Sequence, residues 1–378
     1  MEQNSGEKTC KDKENKYLSK AKSIIAWVNS DMKPWRKFYN DLPFAIGFPI
    51  EAFDVLLRGV GQVVLMNNSI TGLFILIGLF YANWWISLCG VIGLCASTLT
   101  AILCGFNAAS IRDGLHGYNG LLVGLALATF CETYDYLVII PILITSAMTS
   151  VFLAYHTEVF SVPACTLPFC FATSLLLLGS YSLSYFSFPN IGTYLIQAPT
   201  DPYRGFEPEL FFKSILTGTS QIFVASNYWT GLLILIGICF CSRISAVMCA
   251  FGSMVGLCFA FGMGVDRSSI YFGLWGYSAA LSAICIGGMF FKFSISSFLY
   301  SFVCCIGTCI FHAALVTVFA PWGIPVLTFP FNFGVLLFLV AHTSFKPVWL
   351  GHLQHVPLSK MVTPETTLFS SEVDYVAI

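Results

Sequence analysis

The chain has 378 residues, 57% of them hydrophobic and only 10% charged, and its formal net charge is −1. Soluble domains average about 25% charged residues, so this composition excludes an ordinary soluble protein. Residues 59–111 and residues 293–345 contain no Asp, Glu, Lys or Arg. Each of these stretches is long enough for two membrane-crossing helices of about 20 residues each. Because the strict apolar–polar alternation of a membrane barrel is absent, we predict an all-α polytopic membrane protein.

The N-terminal segment, residues 1–40, is polar and basic. It holds nine of the 18 Lys and Arg residues and has no apolar core with a cleavage site, as a signal peptide would. Basic residues next to membrane spans are retained on the cytoplasmic side. We therefore predict that the N-terminus is cytoplasmic.

Apolar segments follow in two sets of six. They lie near 44–66, 69–84, 86–105, 115–131, 136–155 and 168–186 in the first half, and near 208–224, 229–241, 244–263, 272–291, 295–318 and 329–345 in the second. The opening segment of each half carries charges, including the i, i+4 pair Asp54 and Arg58. A charge at the bilayer centre costs about 2.5–3.5 kcal/mol. We therefore predict that each opening segment is a re-entrant half-helix covered by protein, which leaves five full spans per half.

An odd number of spans inverts the second half relative to the first, so we predict two inverted-topology repeats. Ten spans return the C-terminus to the cytoplasm. The predicted organisation is a basic cytoplasmic segment (1–40), a first membrane repeat (41–186), an extracellular linker (187–206), a second membrane repeat (207–346) and a cytoplasmic C-terminal tail (347–378).

Three sequence blocks of the first half recur in the second half in the same order. GVGQVVLMNNSITGLFILIG at 59–78 matches GTSQIFVASNYWTGLLILIG at 218–237 without gaps, and we call the spacing from Gly59 to Gly218 the repeat offset. The other two pairs are LHGY (115–118) with LWGY (274–277) at the repeat offset, and VPACTLPF (162–169) with IPVLTFPF (324–331) at a slightly larger spacing. The chain is therefore a duplicated unit of about 160 residues.

The third block has the chemistry of a helix that is broken at membrane depth. Pro168 and Pro330 fit the first turn of a following helix, and each comes two residues after a threonine, Thr166 or Thr328. At such a break, hydroxyls and unpaired carbonyls can face a polar solute. Two copies at corresponding positions favour a functional role over a capped loop.

The other blocks contribute polar and aromatic candidates. Gln62 and Gln221 correspond to each other, and a buried glutamine needs a hydrogen-bond partner. That partner is either a neutral ligand or a neighbouring helix. The pairs Tyr118 with Leu122 and Tyr277 with Leu281 are four residues apart, hence on one helix face. Ordinary core packing explains them as well as a functional role does.

Together these blocks resemble the sequences of urea transporters. VPACTLPF and IPVLTFPF are similar to the LPxxTxPF signature of that family, with Val162 and Ile324 in place of its first leucine. The resemblance runs from about residue 40 to about residue 350 and is greatest to the vertebrate facilitative members. It implies a passive urea channel in the plasma membrane, built as a homotrimer with one pore between the two repeats of each protomer.

The resemblance also implies which residues line the pore. Thr166 and Thr328 would line the narrow centre, Leu122 and Leu281 the flat apolar walls, Tyr118 and Tyr277 the flanking aromatic positions, and Gln62 and Gln221 the two mouths. Urea is planar and neutral, so uncharged hydroxyl, carbonyl and amide oxygens can replace the water that it sheds.

Other functions agree less well with the sequence. A water or glycerol channel would show paired NPA boxes, and the histidines that an ammonia channel would need, His312 and His342, have no matching pair in the first half. No Walker A, HExxH or GxSxG sequence indicates a pump or an enzyme, and the 15 cysteines form no CxxC pair. We predict no catalytic residue, metal, cofactor or nucleic-acid partner, and urea and membrane lipids as ligands. A channel for water, ammonia or a urea analogue is the alternative.

Overall fold

The computed structural model describes residues 27–131, 134–160, 162–182, 188 and 205–344, and the elements that these residues form are helices. The predicted C-terminal tail and all but three residues of the predicted linker lie outside the described residues. The described part of the N-terminal segment contains α1 (Lys33–Asn40).

In the described residues, each half contains seven α-helices in the same order. The first half contains α2 (Phe44–Gln62), α3 (Ser69–Ala82), α4 (Trp84–Leu103), α5 (Ala108–Arg112), α6 (Tyr118–Phe130), α7 (Ile139–Val159) and α8 (Leu167–Ser180). The second half contains α9 (Pro208–Gln221), α10 (Tyr228–Cys241), α11 (Arg243–Gly262), α12 (Arg267–Tyr271), α13 (Tyr277–Ala283), α14 (Ile295–Phe319) and α15 (Phe329–Ser344). A wider helical turn, Ile284–Phe290, continues α13. Every predicted apolar segment is confirmed as a helix, whereas the short helices α5 and α12 were not predicted.

Side-chain caps fix where several helices begin. Asn83 separates α3 from α4, and its side-chain oxygen accepts hydrogen bonds from the backbone N–H groups of Trp85 (3.0 Å) and Ile86 (3.1 Å). Ser242, the counterpart of Asn83 at the repeat offset, caps α11 through the N–H of Ser245 (3.2 Å). Asn and Ser are favoured at this position because they satisfy N–H groups that have no partner within the helix. One capping residue therefore suffices to end one helix and begin the next.

Helix α7 is polar on its buried face and apolar on its exposed face, the reverse of a helix in a soluble protein. Its buried residues include Thr145, Ser146 and Thr149, whereas Ile144 is 60% exposed and Met148 is 52% exposed. Small hydroxyl residues are common where membrane helices pack against one another. The arrangement identifies a helix that faces lipid.

Within the part of the chain that the structure describes, four helices are long and apolar enough to cross a membrane. They are Trp84–Leu103, Tyr136–Val159, Arg243–Gly262 and Ile295–Trp322, two from each half at corresponding positions. The remaining apolar helices of the described residues have 10–17 residues, and a helix of 14 residues is only about 21 Å long. Length and composition alone thus identify two candidate spans per half among the described residues, and the count of five spans per half stays a prediction.

The two opening segments differ from each other in length: α9 has 14 residues, as the predicted half-helix would, whereas α2 is longer. Helix α2 has 19 residues and is about 28 Å long, close to the thickness of a hydrocarbon core of about 30 Å. Helix α6 has 13 residues, and all of them are buried. By length and enclosure, α6 fits the description of a half-helix better than α2 does.

The charges of α2 are neutralised inside the protein. Arg58 Nε donates to Asp54 Oδ2 at 2.6 Å, and both side chains are almost fully buried, which confirms the predicted i, i+4 pair. Helix α1 covers this pair, because Trp35 Nε1 donates to Asp54 Oδ1 at 2.8 Å and Tyr39 Oη donates to Asp54 Oδ2 at 3.2 Å. Burial, and then the negative Asp54, raise the pKa of Tyr39 to about 12, so its hydroxyl keeps its proton as a donor. The N-terminal segment thus supplies hydrogen-bond donors to the buried carboxylate of this ion pair.

Helices α3 and α10 pack against each other through reciprocal contacts. Thr71 Oγ1 donates to the backbone oxygen of Gly237 at 2.7 Å, and Thr230 Oγ1 donates to the backbone oxygen of Gly78 at 2.8 Å. At the repeat offset Thr71 corresponds to Thr230, and Gly78 corresponds to Gly237. The two hydrogen bonds are therefore equivalent, as a twofold relation between two equivalent surfaces requires. Because the early residue of one helix meets the late residue of the other, the two helices are antiparallel.

Within each half, a glycine lets the second helix approach the backbone of the first. A Cβ atom built on Gly72 would lie 1.9 Å from the backbone oxygen of Leu57, and one built on Gly231 would lie 1.9 Å from that of Leu216. We expect Gly72→Ala to lower the free energy of unfolding by about 1–3 kcal/mol, because overpacking forces the backbone apart. Gly179→Ala is the matched control, since its Cβ would meet no atom within 4 Å.

The two alanine variants are to be compared by thermal unfolding in detergent. A helical Gly→Ala change without a clash stabilises by about 0.5–1 kcal/mol, so Gly179→Ala should unfold no earlier than the parent protein. Equal unfolding temperatures for both variants would show that α2 and α3 are not in this close contact.

Candidate functional site

Two predicted residues from opposite halves meet at the centre of the molecule. Thr166 immediately precedes α8, and Thr328 immediately precedes α15. Their hydroxyl oxygens are 2.6 Å apart, and the two residues are 2% and 4% exposed. Because the hydroxyls are in contact, no open space separates the two threonines in this conformation.

An asparagine that we did not predict holds both threonines. Asn332 Nδ2 donates to Thr166 Oγ1 at 2.9 Å and to the backbone oxygen of Thr328 at 2.8 Å, while its side-chain oxygen accepts from the N–H of Thr166 at 3.1 Å. The residue that corresponds to Asn332 is Cys170, whose Sγ lies 3.1 Å from Thr328 Oγ1. The available signal was the position of Asn332, one helical turn after Thr328 and next to the repeated block.

A second asparagine also binds the start of α8. The side-chain oxygen of Asn119 accepts from the N–H of Phe169 at 3.2 Å. The first N–H groups of a helix have no partner within it, and Asn119 and Asn332 satisfy two such groups at the start of α8. Ser278 stands at the corresponding position of the second half. The sequence difference between Asn119 and Ser278 thus has a structural consequence at the threonine pair.

The two predicted tyrosines position the residues just before the threonines. Tyr118 Oη donates to the backbone oxygen of Cys165, and Tyr277 Oη donates to that of Leu327 at 2.6 Å. Cys165 and Leu327 have φ angles of +45° and +48°, which costs roughly 1–2 kcal/mol for a residue with a side chain. The tyrosine hydroxyls stabilise this strained turn in both halves, so their role includes holding the threonine backbone in place.

The two predicted glutamines also occupy equivalent places. Gln62 Nε2 donates to the backbone oxygen of Asp113 at 2.8 Å, and Gln221 Nε2 donates to that of Phe272 at 3.0 Å. Asp113 and Phe272 are the residues that end α5 and α12. One N–H of each glutamine amide is therefore used within the protein, and the amide has a second N–H and a carbonyl oxygen with which it can bind a solute.

The two predicted leucines are in the core. Leu122 is 1% exposed and Leu281 is 0% exposed, each one turn after its tyrosine on α6 or α13. They do not line the cavity described next. The structure places them near the tyrosines, as the sequence spacing indicated, but gives them no open surface there.

A cavity of about 130 Å³ lies against the second half and reaches the threonine pair. Its lining includes Gln221, Tyr277 and Thr328, together with His312 and the aromatic ring of Phe169 from the first half. A single water needs only about 10–15 Å³, so the cavity has room for a small solute. A mostly apolar lining with a few polar groups and no formal charge suits a small neutral molecule.

The sequence is similar to a family of known proteins and to several of its members. Residues 53–343 match the sequence profile of the family described as "Urea transporter". The chain is 33% identical to "Urea transporter 1" of Mus musculus over 347 residues, which are 90% of this chain and 88% of the relative. It is 32% identical to "Urea transporter 1" of Rattus norvegicus over the same shares, and 31% identical to that of Ovis aries.

Proposed function

Because this chain belongs to the urea transporter family, we propose that it carries urea passively, as a channel, along a pathway between its two halves. Members of this family are transporters and not enzymes. The observation that carries the proposal is the contact of Thr166 and Thr328, one from each half, where Thr328 also lines a cavity that holds uncharged polar groups.

The cavity offers urea a sequence of hydrogen-bond partners. Urea has four N–H donors and one carbonyl acceptor, and removing an amide from water without replacement costs roughly 2–7 kcal/mol. The side-chain oxygen of Gln221 and the hydroxyl of Thr328 can accept from its N–H groups. Gln62 and Thr166 offer the same groups in the first half. An ion gains no counter-charge from these partners, so the pathway favours a neutral solute.

Passage requires the two threonine hydroxyls to separate. One hydrogen bond between protein groups contributes only about 0.5–1.5 kcal/mol net, and a urea molecule at the centre would replace it with bonds of its own. Breaking the hydrogen bond between the two threonines is therefore a small cost, which the hydrogen bonds of urea can offset. Leu122 and Leu281 stay our proposed apolar walls of the pathway, and because both are buried in this conformation they would meet the solute only when the centre opens.

We propose that the two repeats have inverted topology, because α3 and α10 pack against each other in antiparallel orientation. If both helices run across the membrane, equivalent helices of the two halves point in opposite directions. The buried α6, with its counterpart α13, is our candidate for the half-helix. The proposed partition is a first repeat at 41–186 and a second repeat at 207–346, with both termini cytoplasmic.

The topology has a direct test in cells. We expect tags at the N-terminus and at the C-terminus to be reached by antibody only after the plasma membrane is permeabilised. A tag in the linker at 187–206 should be accessible on intact cells. A C-terminal tag that is accessible on intact cells would contradict the inverted arrangement.

The proposed transport is tested by stopped-flow urea flux into proteoliposomes that contain the purified protein. We expect fast entry down the urea gradient without any requirement for an ion, and no comparable entry of mannitol. Crosslinking of the same sample tests the proposed homotrimer. Urea entry no faster than in empty vesicles, with well-folded protein, would indicate the alternative of another small neutral solute, such as water, ammonia or a urea analogue.

A further inference from the structure

The cavity contains a histidine, His312, that has no role in the urea transport proposed above. His312 lies on α14, is 4% exposed and lines the cavity. Its ring centroid is 4.6 Å from that of Trp275 and 5.8 Å from that of Tyr277. Within the part of the chain that the structure describes, its Nδ1 has no hydrogen-bond partner. Buried polar nitrogens nearly always have a partner in the protein or in a bound molecule.

The other polar groups of the cavity already have partners. Gln221 and Tyr277 each donate to a backbone oxygen, and the Thr328 hydroxyl bonds with Thr166. Gln221, Tyr277 and Thr328 thus each have a hydrogen-bond partner in the protein, whereas the Nδ1 of His312 has none among the described residues. A neutral imidazole has one donor and one acceptor, which match the carbonyl and the N–H groups of an amide such as urea.

The first half lacks this group. Ser146 on α7 and Cys305 on α14 are counterparts at the repeat offset. The Ser146 hydroxyl donates to the backbone oxygen of Gly120, and the Cys305 thiol donates to that of Ala279, the counterpart of Gly120. These equivalent hydrogen bonds fix how α7 and α14 are aligned. In that alignment the counterpart of His312 is Leu153, which is buried and whose side chain cannot form a hydrogen bond. The threonines, tyrosines and glutamines are duplicated, whereas this histidine is present on one side only.

We propose that His312 is a urea-binding residue of the second-half cavity, where it hydrogen-bonds the solute between Gln221 and Thr328. This inference rests on the proposed urea transport. It makes the two ends of the pathway chemically unequal, so that urea binds more tightly at the second-half end than at the first-half end.

The test uses His312→Phe, which keeps a ring beside Trp275 and removes both nitrogens. In proteoliposomes we expect the urea concentration that gives half-maximal flux to rise about tenfold, as loss of one hydrogen bond predicts. His312→Gln retains a donor and an acceptor, so it should raise this half-saturating urea concentration less. The matched control is His156→Phe, because His156 is also a buried histidine with an unpartnered Nδ1 among the described residues, yet does not line the cavity.

The outcomes separate this inference from the proposed function. Parent protein that carries no urea would overturn the proposed function and this inference with it. Parent protein that carries urea, together with an unchanged half-saturating concentration in folded His312→Phe, would overturn the role of His312 alone. If His312→Phe does not fold, His312→Leu, which installs the residue of the first half, is measured in its place with the same expected shift.

Discussion

Replacing Thr166 or Thr328 by valine is expected to lower urea flux about tenfold to a hundredfold without loss of assembly. Each substitution removes a buried hydroxyl and keeps the shape of the side chain. A urea N–H that loses its acceptor at the centre of the pathway is left unsatisfied, at a cost of about 1–3 kcal/mol. Each 1.36 kcal/mol added to a barrier slows passage about tenfold. Stopped-flow flux at matched protein density measures the effect.

Serine at the same positions provides the control. Thr166→Ser keeps the hydroxyl that bonds with Thr328 and Asn332 and loses only a methyl group, so its flux should stay near that of the parent protein. Size-exclusion chromatography would verify that the valine and serine variants assemble alike. Normal flux in both valine variants would remove the two threonines from the solute path.

Replacing Arg58 by methionine is expected to destabilise the folded protein by about 3–5 kcal/mol. The substitution leaves the Asp54 carboxylate buried without its cation, and breaking one partner of a buried ion pair has this order of cost. The double variant Asp54→Asn with Arg58→Met should recover part of the loss, because no buried charge is left uncompensated. Denaturant unfolding in detergent, followed by tryptophan fluorescence, measures these differences.

The second half offers the matched control for this prediction. Glu209 and Lys213 form an i, i+4 pair on α9, and Lys213 is the counterpart of Asp54 at the repeat offset. Both side chains are exposed, and exposed pairs contribute little to stability. Lys213→Met should therefore unfold at the same denaturant concentration as the parent protein. An Arg58→Met variant as stable as Lys213→Met would show that the Asp54 site is open to water.

Local sequence patterns predicted which segments are helical and how the chain is duplicated. Hydropathy acts segment by segment, and in lipid a backbone has to satisfy its hydrogen bonds within the segment, so the apolar runs were sufficient to locate the helices. The recurrence of VPACTLPF as IPVLTFPF also indicated that Thr166 and Thr328 occupy equivalent positions in the two halves. The partners of the α2 charges were not predictable in this way, because Trp35 and Tyr39, which bond with Asp54, lie on a separate helix.

Sequence alone thus determined the class of protein, the helical segments, the repeat and the paired threonines, tyrosines and glutamines. The tertiary structure decided which of these groups line the cavity and which hydrogen-bond within the protein. Asn332 reaches a threonine 166 residues away in sequence, and His312 lines a cavity whose other walls come from several helices. Such contacts depend on how the helices pack, and no local pattern of hydropathy or spacing encodes the distance between side chains on different helices.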